Sequence, residues 1–365
     1  MMTDAAGDAM GARSPFRDRL LTLHAFRILA IGLIALFAAG CVSNVSSVLE
    51  VDNKSVQPIP VALVKEMGKR NMSPADPVLV RIFKQESELE VWKRDRSGRY
   101  ALLKTYPMCR WSGKLGPKTR DGDRQAPEGF YHVSAGMLNP ASKYYLSFNL
   151  GYPNRLEQAL GYKGEALMVH GACSSSGCYA LTDGGVAEIF AVVREALKGG
   201  QAAFQVQAFP FRMTPKNMAA HRSDTNFAFW SNLEQGYDAF EVTRQPPKVD
   251  YCGRRYQFDA QFQGAEPSNP LAACPPVAGN PAVAARHSAD ERVAQTLAST
   301  PISMSAYADG GMHPSFRKLL KREGPQGLAK LTSATAVPVS RPEAALADPH
   351  SPEVAPVVVD KPAAR

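Results

Sequence analysis

A histidine and a cysteine eight residues apart, His170 and Cys178, stand in the segment VHGACSSSGCYALTD that occupies 169–183. A cysteine attacks a carbonyl carbon as the thiolate, and a neighbouring imidazole together with a helix N-terminus lowers the thiol pKa. The sequence offers both, because a strand delivers His170 to a loop rich in Gly, Ser and Cys and a helix starts near Asp183. Gly177 lets the backbone come close to a substrate carbonyl, and the N–H groups of Gly177 and Cys178, with Ser176 in the same loop, are candidates to face a developing oxyanion. On spacing alone the segment equally describes a cysteine that is disulfide-bonded or simply buried.

These residues need elements to hold them. Short runs of alternating apolar residues at 77–84, 88–93 and 99–106, separated by charged turns and Gly98, predict consecutive antiparallel strands. Further strands are expected at 130–134, 143–150, 166–170 and 204–209. Asp183 as N-cap, followed by Val186, Ile189, Phe190, Val193 and Leu197 at helical spacing, predicts a helix closed by Gly199 and Gly200. A second helix over 224–233 turns Phe227, Trp230 and Leu233 inward. The stretch WSGKLGPKTRDGDRQ (111–125) reads as a long surface loop. The fold class is therefore mostly β, with one or two packed helices.

At 365 residues, 45% apolar and 21% charged, the chain is too apolar for wholesale disorder and lacks the pattern of a collagen, coiled coil or multi-span membrane protein. Of its 28 prolines, 14 fall within 266–365, and aromatics nearly vanish after 262, which predicts a disordered tail over 263–365 behind a domain at 58–262. Within that tail FRKLLKR (316–322) reads as a solvated transient helix or a contact for an anionic surface. Arg13, Arg17, Arg19 and Arg27 precede an apolar run of 13 residues at 28–40, a length that suits a signal peptide better than a span. Cys41 then becomes a candidate for lipidation, while Ala38 and Gly40 equally satisfy an ordinary cleavage site and an uncleaved anchor helix is the third option. The reading is an export segment at 1–40, a spacer at 41–57, a periplasmic location and attachment to the membrane by lipid or signal segment. The net charge of +8 favours a polyanionic neighbour, and export removes nucleic acid from the candidates.

The loop resembles the signature of YkuD-type L,D-transpeptidases, in which a His-Gly pair, here His170-Gly171, is followed by Ser/Thr-x-Gly-Cys, here Ser175, Ser176, Gly177 and Cys178. The similarity is greatest to the YafK-like murein L,D-transpeptidase branch, which also shows WSGKLGPK, APEGFY (126–131), LSFNLGYPN (146–154) and PFRMT (210–214). Ser175 and Ser176 stand where most YkuD-type domains carry a second histidine. The resemblance implies a β-rich catalytic fold with Cys178 as nucleophile and His170 as general base. The second ring nitrogen of that base would be held by a backbone carbonyl near Gly171 or Ala172. The implied substrate is the diaminopimelate-containing stem peptide of peptidoglycan, acylating Cys178 as a thioester that an amine resolves by transpeptidation or water by hydrolysis. The branch includes enzymes that cut the link between peptidoglycan and a covalently attached outer-membrane protein, so such a protein is a possible partner. A catalytically silent peptidoglycan-binding lipoprotein is the reading outside enzymology.

Between 110 and 124 five basic residues outnumber Asp121 and Asp123, so Arg110, Lys114 and Lys118 are candidates to hold stem-peptide carboxylates, or else a solvated loop. His132 and His221 read as structural. No metal site and no cofactor are expected. Cys173 reads either as a buried apolar residue or as the partner of Cys178 in a reversible disulfide, and Cys109 with Cys252 as another bridge; Cys274 is left unassigned.

Overall fold

The computed structural model describes residues 53–297 and 310–332. The export segment, Cys41 and the last 33 positions, 333–365, lie outside the described residues. After helix α1 (Val61–Lys69), three strands run up and down as the alternation predicts: β1 (Val78–Phe83), β2 (Glu88–Arg94) and β3 (Tyr100–Pro107). Next come β4 (Arg110–Trp111), β5 (Gly129–Ser134), β6 (Leu138–Asn139), β7 (Ser147–Asn149), helix α2 (Arg155–Ala159), β8 (Met168–His170) and β9 (Tyr179–Ala180). The chain continues through α3 (Asp183–Lys198), β10 (Ala203–Phe209), α4 (Pro215–Ala220), α5 (Phe227–Thr243) and the hairpin β11 (Val249–Cys252) and β12 (Arg255–Phe258).

Two five-stranded sheets result, ordered β3-β2-β1-β10-β5 and β4-β9-β8-β7-β6. They share one apolar core, in which Val80, Ile82, Tyr131 and Val206 of the first sheet meet Phe148, Val169 and Tyr179 of the second and Ile189 and Val193 of α3. Every residue of β1 is buried because α5 covers its other face, where Phe83, Phe209, Trp230 and Tyr237 form a second cluster. The fold class expected from the alternation, β-rich with packed helices, holds. Thr182 rather than Asp183 caps α3, its hydroxyl accepting from Gly185 N at 3.0 Å, which frees the Asp183 carboxylate for another task.

Three predicted elements differ from the structure. The strand expected at 143–150 shrinks to 147–149 because Tyr145 is left-handed, φ 71°, and the carbonyls of Tyr144 and Leu146 turn to accept from Gly171 N. The helix expected at 224–233 begins at Phe227, with Asp224 serving the turn before it, and continues to Thr243 because Tyr237 and Phe240 keep facing the core. Elements also continue past 262: β13 (Gln261–Phe262), β14 (Val277–Ala278), α6 (Pro281–Thr296) and α7 (Pro314–Thr332), the last broken at Gly324. Composition undercounts this region because its attachments are covalent and polar or rest on a few apolar residues. A Cys252–Cys274 disulfide fastens it, Arg286 pairs with Asp238 at 3.0 Å, and Met312, Phe316, Leu320 and Leu328 pack on Cys109 and Cys173. The FRKLLKR stretch is thus part of a docked helix. Among the described residues no helix is long and apolar enough to cross a membrane.

Candidate active site

Register brings the histidine and cysteine together. β8 and β9 are parallel neighbours with Val169 opposite Tyr179 and His170 opposite Ala180, so Met168 is level with Cys178. Side chains alternate along a strand, which puts Met168, His170 and Cys178 on one face, with His170 diagonal to Cys178. Strand spacing of about 4.8 Å and a rise of about 3.3 Å per residue make that diagonal about 8 Å between Cα atoms. Both line one cavity of about 510 Å³, with Tyr144, Lys143, Ser174 and Ser176 on its walls.

The His170 ring is buried, and its Nδ1 lies 2.7 Å from the Gly171 carbonyl oxygen. A carbonyl only accepts, so the proton sits on Nδ1 and Nε2 carries the lone pair. Burial lowers the imidazole pKa to about 4, partly opposed by the Gly171 bond, which makes the ring neutral at pH 7. The Tyr144 ring lies against it at 4.7 Å between centroids. Gly171 has to be glycine, since a Cβ there would stand 2.6 Å from Asp183 Oδ1 and 3.0 Å from Tyr144 O. Asp183 reaches back to accept from Ala172 N at 2.8 Å and steadies the turn, in which Ala172 and Cys173 are left-handed at φ 65° and 47°.

Cys178 is a free thiol, whose Sγ accepts from Met168 N at 3.4 Å. Burial raises its pKa, partly offset by that N–H and by the charge of Lys118. The pair therefore rests neutral, in contrast to a thiol lowered by imidazolium and helix dipole. The expected oxyanion donors are also engaged elsewhere: Gly177 N donates to Ser112 Oγ and Cys178 N to Ser175 Oγ at 3.1 Å. Ser175 Oγ donates in turn to Cys178 O at 2.6 Å and meets Ser112 Oγ at 3.0 Å. Gly177 suits this loop because its φ is 117°. Ser112 and Asp183 escaped the sequence reading as site residues; Ser112 stands in the WSGK run, which composition had marked only as loop.

The basic candidates do not line this cavity. Arg110 is buried in β4. Lys118 is buried and bonded to Arg120 O at 2.8 Å and to Asp123, and Lys114 is exposed outside the cavity walls. The loop bearing them is held by a fully buried ion pair, Lys84 Nζ to Glu128 Oε1 at 2.8 Å. Lys84 also donates to the carbonyls of Lys114 and Ala126, while Glu128 accepts from Gly116 N and Trp230 Nε1. Residues of the LSFNLGYPN and PFRMT runs brace the fold as well. Asn154 caps α2, and Arg212 pairs with Glu88 and Glu90. His221, stacked on Phe211, is structural.

Two disulfides form, Cys109–Cys173 and Cys252–Cys274. The first excludes a Cys173–Cys178 bond and the second a Cys109–Cys252 bond. Cys173 is instead the tether that ties the turn after His170 to the residue preceding β4.

A β-rich protein with a free thiol and a neutral imidazole on one cavity wall is the class that fold and cleft define. Over 180 residues, 49% of this chain and 73% of the relative, the sequence is 47% identical to "Putative L,D-transpeptidase YafK" of Escherichia coli K12, and the same figures hold for its counterpart in strain O157:H7. The chain belongs to the YafK family. No family model matches it. Solved structures similar to it include the helical cell shape determining protein Pgp2 of Campylobacter jejuni, 16% identical over 64% of this chain and 76% of that one, TM-score 0.31. Bd1075 of Bdellovibrio bacteriovorus is 15% identical over 48% and 76%, TM-score 0.27.

Proposed function

We propose that this protein is an exported cysteine acyltransferase of the L,D-transpeptidase type acting on diaminopimelate-containing stem peptides of peptidoglycan. The observation that carries the reading is the tautomer of His170: with Nδ1–H given to Gly171 O, the lone pair of Nε2 is the base left to take the proton of Cys178. The thiolate so formed attacks the stem-peptide carbonyl, the amine leaves with the proton returned by His170, and a thioester remains on Cys178. A second amine then gives a cross-link and water gives hydrolysis. For the oxyanion, the Ser174 hydroxyl is a free donor, being on the cavity wall with no hydrogen-bond partner among the described residues. Alternatively, rotation of Ser112 and Ser175 releases the N–H groups of Gly177 and Cys178. The exposed Lys143 is placed to meet a substrate carboxylate at the rim.

The test is incubation of the mature protein and Cys178→Ala with sacculi and with a defined tetrapeptide, followed by mass spectrometry of products and of the protein. We expect a thioester adduct and altered muropeptides from the wild type alone. Unchanged profiles from both proteins defeat the reading, and release of a peptidoglycan-bound protein with no new cross-link assigns the thioester to water.

A further inference from the structure

The polar junction between α5 and α6 stands apart from the cleft and plays no part in the proposed chemistry. We propose that Glu234 and Asp238 of α5 and His287 of α6 form a binding site for a divalent transition-metal ion of the zinc type, which staples α6 to the domain. The three side chains bring their ligand atoms within 4.8 Å of one another. His287 Nδ1 lies 3.2 Å from Asp238 Oδ2 and 3.7 Å from Glu234 Oε2. A tetrahedral zinc with bonds of about 2.0–2.2 Å separates its ligands by about 3.3–3.6 Å, so the two distances lie just under and just over that span, and an ion would replace the hydrogen bond that His287 and Asp238 now share. One imidazole with two carboxylates is a donor set for this class of metal, and it leaves coordination open for water.

Independent features point the same way. Glu234 is 6% exposed and lines a cavity of about 340 Å³, yet its carboxylate accepts no hydrogen bond from any described residue. The carboxylate thus opens onto the cavity with only a histidine ring at 3.7 Å beside it, so an ion entering there meets oxygens that no protein donor occupies. Asp238, fully buried, is oriented by Arg286, which donates to Oδ1 at 3.0 Å and leaves Oδ2 toward His287, an arrangement of the kind that aims metal ligands. The cavity gives an entry path, and Glu291, one turn beyond His287 on the same helix, lines it as well. The site also answers a structural question: α6 buries only Ala294, so apolar contact alone fastens it weakly.

The experiment uses the mature chain without a histidine tag, on a Cys178→Ala background so that the thiol of the cleft cannot hold zinc. After treatment with a chelator the protein is titrated with zinc chloride by calorimetry and melted with and without zinc. We expect one equivalent bound with a micromolar or tighter Kd, a rise in Tm on adding zinc, and at least a hundredfold weaker binding in His287→Gln, whose amide retains a hydrogen bond to Asp238. Binding of less than about a fifth of an equivalent overturns the proposal, as does equal affinity in a folded His287→Gln. Should His287→Gln fail to fold by circular dichroism, Glu234→Gln is compared in its place, and the stoichiometry of the Cys178→Ala protein decides on its own.

Discussion

Alkylation of Cys178 by iodoacetamide, followed from about pH 5 to about pH 10, reads the resting protonation state of the cleft. Moving a proton from an ordinary thiol, pKa about 8.5, to an imidazole held at about 4 spans about 4.5 pH units and costs about 6 kcal/mol. Burial of Cys178 raises the thiol and adds to that cost. A thiolate and an imidazolium brought to about 4 Å would attract by about 4 kcal/mol at an effective dielectric of about 20, so even at contact the neutral pair stays ahead by about 2 kcal/mol, roughly thirtyfold. The alkylation rate should therefore sit on a low floor, about a thirtieth of its maximum or less, below about pH 7 and climb about tenfold per pH unit above it, and His170→Ala should remove the floor while leaving the climb. A plateau at neutral pH that already reaches the full thiolate rate, and is lost in His170→Ala, would refute the neutral pair. Catalysis on this view moves the proton only when substrate fills the cleft.

The remaining expectations concern stability. His170 titrates near 4 when folded and near 6.5 when unfolded, so the unfolded chain binds more protons in that window and stability falls as pH drops through it, by up to about 3 kcal/mol; urea midpoints at pH 7 and pH 4 should differ less in His170→Gln than in the wild type. Ser112→Ala leaves the buried Gly177 N–H without its acceptor and should cost about 1–3 kcal/mol, while a Ser112→Thr variant that melts no higher than Ser112→Ala would argue against the hydroxyl's role. Glu128→Gln strips compensation from the buried Lys84 ammonium and should cost about 3–5 kcal/mol by urea denaturation, most of it restored in Lys84→Met/Glu128→Leu. Removing the Cys109–Cys173 bridge by double serine substitution releases a loop of 64 residues and should lower stability by about 4 kcal/mol in the chain-entropy picture; equal melting of variant and wild type would contradict that.

β1, β2, β3, β5 and β10 were legible as short β-branched and apolar runs bounded by charges and turn residues, although β1 and β10 are covered on both faces and so carry no buried-exposed alternation. The loop of His170, Gly171, Gly177 and Cys178 stood out for a different reason: its residue types permit a close backbone approach beside a thiol and an imidazole, but spacing alone left a bridged or buried cysteine equally open, and the resemblance to the YkuD-type signature singled it out. What sequence hid was the supporting cast. Arg110 and Lys118 are basic residues in a polar stretch, and nothing local says that both are buried. Ser112 reaches Gly177 across 65 positions, and the Cys109–Cys173 pairing spans nearly as far. Such partnerships depend on the meeting of β4 with β9, which no window of a dozen residues contains. The elements at 277–296 and 314–332 went unread because counting apolar residues gives no weight to a disulfide or to ion pairs with α5.

The contact between Trp111 and Gly311 joins the outer strand of the second sheet to backbone 200 positions further along, with Trp111 N donating to Gly311 O at 3.1 Å and Gly311 N to Trp111 O at 3.0 Å. Closing a loop of that length costs about 5 kcal/mol of chain entropy, a cost that the two backbone hydrogen bonds and the apolar contacts beside them must offset. Without that pairing β4 is a bare edge beside the apolar surface covered by Met312 and Phe316, a template on which another chain can add a strand. A version cut at 262, where aromatic content falls away, keeps every residue of the cleft and still presents that edge permanently. The segment at 310–332 thus covers both the edge of β4, through Gly311, and the apolar surface beside it, through Met312, Phe316, Leu320 and Leu328.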